Sequence, residues 1–145
     1  MSVLRFETTI GGKQLREITF RGKSVSTGKW VYGYLIGRAN DTGCVCEGKF
    51  FIDNGEPFNT AVEVIPETVG QYIGLVDRNG EKIFEGDILS VEGVPNLYSV
   101  EFITADASFA VRNCKDRRYA ATNLTVDDQN ELRRCGTIYD QEESA

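Results

Sequence analysis

The stretch V-G-Q-Y-I-G-L-V-D-R-N-G-E-K-I-F-E-G-D-I-L-S-V, which runs from Val69 to Val91, decides the fold class. At its centre, Asp77-Arg78-Asn79-Gly80 predicts a tight turn, because Asp favours the first position and Asn-Gly tolerates a positive φ. The β-branched and aromatic residues on both sides of this turn suit a pleated, half-buried surface. The stretch therefore predicts a β-hairpin.

A second bend follows at Glu85-Gly86-Asp87, after which Ile88 to Val91 resumes as a strand. Glycine allows the sharp bend, and the aspartate carboxylate can accept a backbone N–H within it. Such a corner is typical of small SH3-like barrels. We therefore predict a mainly β protein in which an N-terminal β-rich part, residues 1–70, packs with a C-terminal SH3-like barrel, residues 71–145.

Apolar and turn residues elsewhere in the chain predict further short elements. Residues 15–20 form a strand that ends at Gly22 and Lys23, and residues 98–103 pair with 108–112. Pro66 begins a single helical turn. Residues 124–132 hold either a short helix, with Thr125 as its cap and Asp128 three residues on, or a plain loop.

Three ordered blocks of sequence carry a family resemblance. They are R-E-I-T-F-R-G-K (residues 16–23), W-V-Y-G-Y-L (30–35) and P-E-T-V-G-Q-Y-I-G-L-V-D-R-N-G-E-K-I-F-E-G-D-I-L (66–89). Together with the closing Ile138-Tyr139-Asp140 they resemble the YopX family of bacteriophage and prophage proteins, over roughly residues 16–140. The resemblance implies a phage-encoded, β-rich cytoplasmic protein whose biochemical role is unknown, with no catalytic residues to carry over.

Composition limits the class of protein. With 145 residues, of which 41% are hydrophobic, the chain is long enough to bury a core. No apolar run approaches the roughly 18 residues of a membrane span, and the N-terminus has no signal-peptide layout. We expect a protein of the bacterial cytoplasm with no membrane partner, in which Cys44, Cys46, Cys114 and Cys135 are reduced thiols.

An aromatic stripe in the third predicted strand gives the candidate interaction surface. On a strand, Trp30, Tyr32 and Tyr34 lie on one face, which is either a core or subunit contact or a ligand platform. Basic residues interleave with these aromatics, as in small β-barrels that stack bases. The predicted surface comprises Arg21, Lys23, Lys29, Trp30, Tyr32 and Tyr34.

Charge is distributed unevenly along the chain. Residues 1–38 contain seven Lys or Arg and two Glu, a net of +5, which leaves −11 for the rest of a total of −6. This asymmetry indicates a basic face for nucleic acid, a head-to-tail contact between subunits, or a solvated surface. The pI near 4.7 argues against a protein whose function is to bind a polyanion such as nucleic acid.

Catalytic chemistry has few candidate residues. The sequence has no histidine, so the usual general base near neutral pH is missing. Glu85 and Asp87 are candidates for a hydrolase carboxylate pair, although the Gly86 corner explains them sufficiently. The pair Cys44-Val45-Cys46 is a weak metal or redox candidate, since zinc needs four ligands. We predict no catalytic residue, no metal and no cofactor.

These observations favour a non-enzymatic binding or assembly module that acts through protein contacts. We expect a homo-oligomer or a complex with another phage or host protein, because small β-modules tend to cover apolar faces and open edges with partners. The alternative function is a nucleic-acid-binding small β-barrel protein.

Overall fold

The computed structural model describes residues 8–11, 13–39, 48–118 and 121–140. Within these ranges the chain forms β-strands and short 3-10 helices. The first strands are β1 (Thr8–Ile10), β2 (Lys13–Leu15), β3 (Phe20–Lys23), β4 (Trp30–Arg38), β5 (Lys49–Asp53) and β6 (Val62–Val64). They are followed by β7 (Gly70–Val76), β8 (Lys82–Phe84), β9 (Asp87–Val91), β10 (Leu97–Ile103), β11 (Ser108–Asn113), β12 (Thr122–Asn123) and β13 (Leu132–Thr137).

The strands form two larger antiparallel sheets and one small ribbon. A six-stranded sheet has the order β6-β5-β4-β3-β7-β8, and a five-stranded sheet has the order β12-β11-β10-β9-β13. The ribbon consists of β1 and β2. The mainly β fold is confirmed, and so is the pairing of residues 98–103 with 108–112, which are β10 and β11.

The predicted hairpin is confirmed between β7 and β8. Gly80 has a φ of +82°, and its N–H donates to the Asp77 carbonyl at 2.9 Å. The Asp77 carboxylate is buried and accepts the backbone N–H groups of Asn79 and Glu81, each at 2.9 Å. The aspartate therefore satisfies donors that the turn would otherwise leave unpaired.

The predicted corner is confirmed at Gly86, whose φ is +89°. Asp87 Oδ2 accepts the backbone N–H of Phe84 at 2.8 Å, as expected for an aspartate at a sharp bend. The bend carries the chain from β8, in the six-stranded sheet, to β9, in the five-stranded sheet.

The main hydrophobic core lies between the two sheets. Leu75 and Ile83 come from the β7–β8 hairpin, and the other members come from the five-stranded sheet, namely Leu89, Val100, Val111 and Leu132. All six are buried, with Ile83 and Leu89 at 0% exposure. The β7–β8 hairpin thus belongs to the six-stranded sheet, and its inner face packs on the five-stranded sheet.

The predicted SH3-like barrel is not confirmed, because no sheet closes within the part of the chain that the structure describes. A closed barrel would keep β7 and β8 in one continuous sheet with β9. Instead β7 pairs with β3, through Phe20 opposite Gln71 and Arg21 opposite Gly70. The division at residue 70 stays a prediction, and strand pairing crosses it.

Strand β3 lies later in the chain than the sequence predicts. Gly22 and Lys23 were predicted to end a strand over residues 15–20, but they lie within β3 and pair with Val31 and Trp30. The reason is close packing, since a Cβ added at Gly22 would lie 3.0 Å from Val64 Cβ. Glycine is needed there for contact, and it does not mark a turn.

Both predicted helical segments are present as 3-10 helices. Pro66–Thr68 is a single turn that begins with proline. Val126–Glu131 is capped by Thr125, which forms a capping box with Asp128. None of the helices in the described ranges is long and apolar enough to cross a lipid bilayer.

Candidate functional site

Strands β3 and β4 place the predicted interaction surface on one face of the six-stranded sheet. Their antiparallel register sets Arg21 opposite Tyr32 and Lys23 opposite Trp30. Side chains that lie directly opposite each other in such a pair point to the same face. The structure therefore brings together four of the six predicted residues, in two cross-strand pairs.

Arg21 lies inside the protein, with 0% of its area exposed, and not on a surface. Its guanidinium carbon is 4.4 Å from the centre of the Trp30 ring and 5.2 Å from that of Phe84. Lys23 is 8% exposed, with its Nζ 5.4 Å from the Trp30 ring centre. These cations stack on aromatic rings of the protein itself.

The outer part of the predicted surface is open to solvent. Tyr32 is 49% exposed and Tyr34 is 55% exposed, and Lys29 is also exposed. Trp30 is half-buried, with its ring centre 5.8 Å from that of Tyr139. Two tyrosine rings therefore remain as the accessible part of the aromatic stripe.

These two tyrosines border an open groove of about 450 Å³. Phe84 forms a third aromatic wall, with its ring centre 5.5 Å from that of Tyr32 in an edge-to-face arrangement. The polar lining comes from separate segments of the chain: Glu17, Thr19, Asn54, Glu81, Lys82 and Arg134. The groove is open to solvent, and it combines an apolar aromatic wall with a polar rim, as protein contact surfaces do.

Gly33 allows the floor of the groove to form. A Cβ at this position would lie 2.1 Å from the Asp53 carbonyl oxygen and 2.9 Å from Asn54 Cα. Strand β4 can approach the end of β5 this closely only without a side chain. This approach sets Asn54 beside Tyr34 in the groove wall.

The charged residues of the groove are paired with one another. Lys82 forms an ion pair with Glu17, and Arg134 Nη1 lies 3.8 Å from Glu81 Oε2. The side chains of Lys82 and Glu81 are 49% and 60% exposed. Because exposed ion pairs are worth little, an incoming charged group can replace either partner at small cost.

Behind the groove, Asp87 joins the two sheets through two arginines. Arg21 Nη1 lies 2.8 Å from Asp87 Oδ1, and Arg134 Nη2 donates to the same oxygen at 3.2 Å while its Nε lies 3.0 Å from Oδ2. Asp87 and Arg21 are both 0% exposed. Because Arg134 also pairs with Glu81, two carboxylates balance the two guanidinium groups, and Arg134 connects the buried cluster to the groove.

Glu85 and Asp87, the candidate carboxylate pair, have different partners. Glu85 Oε1 accepts the Gln71 backbone N–H at 2.9 Å, whereas Asp87 pairs with arginines. Burial raises the pKa of the Glu85 carboxyl above its ordinary value of 4.5, and the Gln71 hydrogen bond offsets part of this rise. The two groups therefore serve different contacts in the fold.

The raised pKa of Glu85 predicts a pH dependence of stability. The folded state binds the proton more tightly than the unfolded state, so the Glu85 contribution is fully present below pH 4.5 and is lost as pH rises through the folded pKa. Glu85→Gln, which mimics the protonated form, should gain stability relative to the wild type as pH rises from below 4.5 to neutrality. Urea unfolding across that range measures this difference, with Glu67→Gln, at an exposed position, as control. A pH-independent difference would contradict it.

The weak metal candidate of the sequence is the thiol pair Cys44 and Cys46. Cys114 and Cys135 are free and exposed, while Cys44 and Cys46 lie outside the described residues. Across the described ranges no cluster of three or more cysteine, aspartate or glutamate side chains is placed to hold an ion. The groove instead offers phenol, amide and ion-paired groups, which suit non-covalent recognition.

Sequence reasoning found two of the groove residues, Tyr32 and Tyr34, and missed the others. Phe84 and Lys82 were recognised only as parts of a strand, and Arg134 belongs to the last strand of the other sheet. Their convergence depends on how the two sheets pack, so no local pattern signals it. Asn54 lies in the Asp-Asn-Gly segment at the end of β5, whose residue types indicate a turn and not a groove wall.

Comparisons with known proteins agree with this fold. The profile of the YopX family, described as YopX protein, matches residues 19–143. No curated protein matches the chain. The crystal structure of protein EF1440 from Enterococcus faecalis is similar, with a TM-score of 0.54 and 18% sequence identity over 90% of this chain and 99% of that one. At this identity the likeness shows a shared fold alone. The family profile covers most of the sequence, and the chain therefore belongs to the YopX family.

Proposed function

We propose that this protein is a phage- or prophage-encoded binding or assembly module that acts through protein contacts in the bacterial cytoplasm and has no catalytic activity. The observation that carries the proposal is the pair of half-exposed tyrosines, Tyr32 and Tyr34, on the wall of the groove. Tyrosine is enriched at protein interfaces, because its ring supplies apolar area and its hydroxyl finds a hydrogen-bond partner at the rim.

The carboxylates support a non-catalytic role. Asp87 is fully enclosed and held by two arginines, so a substrate has no access to it. In the groove, the Glu17 carboxylate is engaged in an ion pair with Lys82. The sequence also has no histidine to act near neutral pH.

The burial of two cations weakens the nucleic-acid alternative. The predicted surface contains three cations, Arg21, Lys23 and Lys29, of which Arg21 and Lys23 are 0% and 8% exposed. Phosphate binding needs clustered, accessible cations, and of the three cations in the predicted surface Lys29 is the exposed one. A protein contact centred on Tyr32 and Tyr34 depends instead on side chains that are exposed at the surface.

Truncation of Tyr34 tests the proposed function. We expect the wild type to form a defined oligomer at physiological salt in light scattering, or to retain a specific partner in a pull-down from infected or lysogenic cells. Tyr34→Ser should weaken that association roughly 30-fold, as expected when an interface residue worth about 2 kcal/mol is lost. Val126→Ser, at a position 55% exposed and outside the groove, is the matched control.

Two results would count against the proposal. One is a wild-type protein that is monomeric throughout a concentration series and captures no protein. The other is a salt-sensitive gel shift with single- or double-stranded probes that Lys29→Glu weakens, which would favour nucleic-acid binding. A hydrolase screen of the wild type should also find no activity, and a reproducible hit would contradict a non-catalytic role.

A further inference from the structure

The connection between β5 and β6 presents one fully exposed aromatic ring. Phe58 is 104% exposed, and its φ of +70° lies in the left-handed region that favours glycine. A bulky residue with positive φ is a genuine outlier, and such strain is found where the backbone serves a function. We name Asn54–Asn59 the Phe58 loop.

Hydrogen bonds hold the Phe58 loop in this conformation. Asn54 Oδ1 accepts the Glu56 backbone N–H at 3.0 Å and Asn59 Nδ2 at 3.3 Å. Asn59 Nδ2 also donates to Glu56 Oε2 at 3.1 Å. The ring is therefore presented by an ordered turn, so little conformational freedom is lost when a partner covers it.

The Phe58 loop begins at the wall of the groove. Asn54 lines the groove, and a Cβ added at Gly55 would lie 3.1 Å from the Tyr34 ring. One surface thus carries an aromatic projection beside an aromatic-walled cavity. Such a surface can be self-complementary about a two-fold axis, since each copy offers what the other accepts.

We propose that the groove of one copy receives Phe58 from a second copy, and that the exchange is reciprocal in a two-fold dimer. The inference rests on the proposed function and names its partner as this chain itself. The phenylalanine ring packs among Tyr32, Tyr34 and Phe84, where edge-to-face contacts are favourable. The cavity of about 450 Å³ has room for one such side chain.

Charge supports the same occupant. Glu56 lies two residues before Phe58, and the groove contains two cations, Lys82, 49% exposed, and Arg134, each paired with a carboxylate of the groove lining. A carboxylate that arrives with the ring meets these cations in place of their weak exposed partners. An inserted loop that carries a carboxylate beside an aromatic ring can therefore exchange into one of these exposed ion pairs while the ring fills the groove.

The test uses one variant without the projection and one with a blocked groove. Phe58→Asn suits the positive φ, so the fold should keep or raise its thermal midpoint, while self-association weakens roughly 30-fold or more. Thr19→Arg fills the groove and should weaken association to a similar extent. Mixing the two variants should restore association in part, because the mixed dimer keeps one intact ring-and-groove contact. Analytical ultracentrifugation measures all three samples.

The outcomes separate this inference from the proposed function. An oligomer that Phe58→Asn leaves unchanged overturns the reciprocal dimer but leaves a protein-binding role in place. A monomeric wild type that captures a different protein likewise overturns the reciprocal dimer and leaves the protein-binding role in place. A mixture of Phe58→Asn and Thr19→Arg that associates no better than either variant alone also overturns the reciprocal dimer. A monomer that captures nothing removes both proposals.

Discussion

Replacement of Asp87 with asparagine is expected to lower the free energy of unfolding by about 3–5 kcal/mol, the cost of breaking a buried ion pair by removal of one partner. The Asp87 carboxylate is 0% exposed and lies within 2.8–3.2 Å of Arg21 and Arg134. Without it, the fully buried Arg21 guanidinium loses the carboxylate that it contacts and remains next to the like charge of Arg134. Urea unfolding followed by circular dichroism measures the loss.

Asp116→Asn is the matched control for this change. Asp116 also pairs with an arginine at close range, 2.9 Å from Arg118 Nη2, but Arg118 is 91% exposed. Water screens this pair, so its loss should leave the unfolding midpoint unchanged within error. If both substitutions lowered the free energy of unfolding equally, burial would not explain how the Asp87 cluster stabilises the protein.

Gly33→Ala is expected to destabilise the protein by about 3 kcal/mol, at the upper end of the usual cost of overpacking. The new methyl group would lie 2.1 Å from the Asp53 carbonyl oxygen, and backbone on both sides must move to admit it. That movement separates β4 from the end of β5 and shifts Asn54 in the groove wall. Thermal unfolding and the association assay should therefore change together.

Gly74→Ala separates contact from backbone strain. Gly74 has a φ of +92°, but no atom lies within 4 Å of its added Cβ. Its cost should be the left-handed strain alone, about 1–2 kcal/mol, without an effect on association. If Gly33→Ala and Gly74→Ala lost the same stability and neither weakened association, the close approach at Gly33 would not be what shapes the groove wall.

The buried cluster also connects the two predicted parts of the chain. Arg21 belongs to β3, before residue 70, and Asp87 begins β9, after it. Tyr139 adds a second connection, since its hydroxyl donates to the Glu67 carbonyl at 2.9 Å and its ring packs on Trp30. Removal of Asp87 should therefore loosen the contact between the parts as well as the core around it.

Local chemistry made several elements predictable. The Asp77–Gly80 turn, the Gly86 corner and the Thr125 cap each depend on residues a few positions apart, and the structure has all three. Each is a short-range contact between a side chain and the backbone, or a φ that glycine permits. The alternation of Trp30, Tyr32 and Tyr34 likewise placed them on one strand face.

The sequence by itself determined a mainly β chain, its hairpins and its family. Only the tertiary structure decided that β7 pairs with β3 and leaves β9 to the other sheet, and that Arg21 lies buried against Asp87. Strand propensity and turn chemistry act over a few residues, whereas the choice of neighbouring strand and the burial of a charge depend on contacts between distant segments. For the same reason Lys82, Phe84 and Arg134 became groove residues only when the two sheets packed.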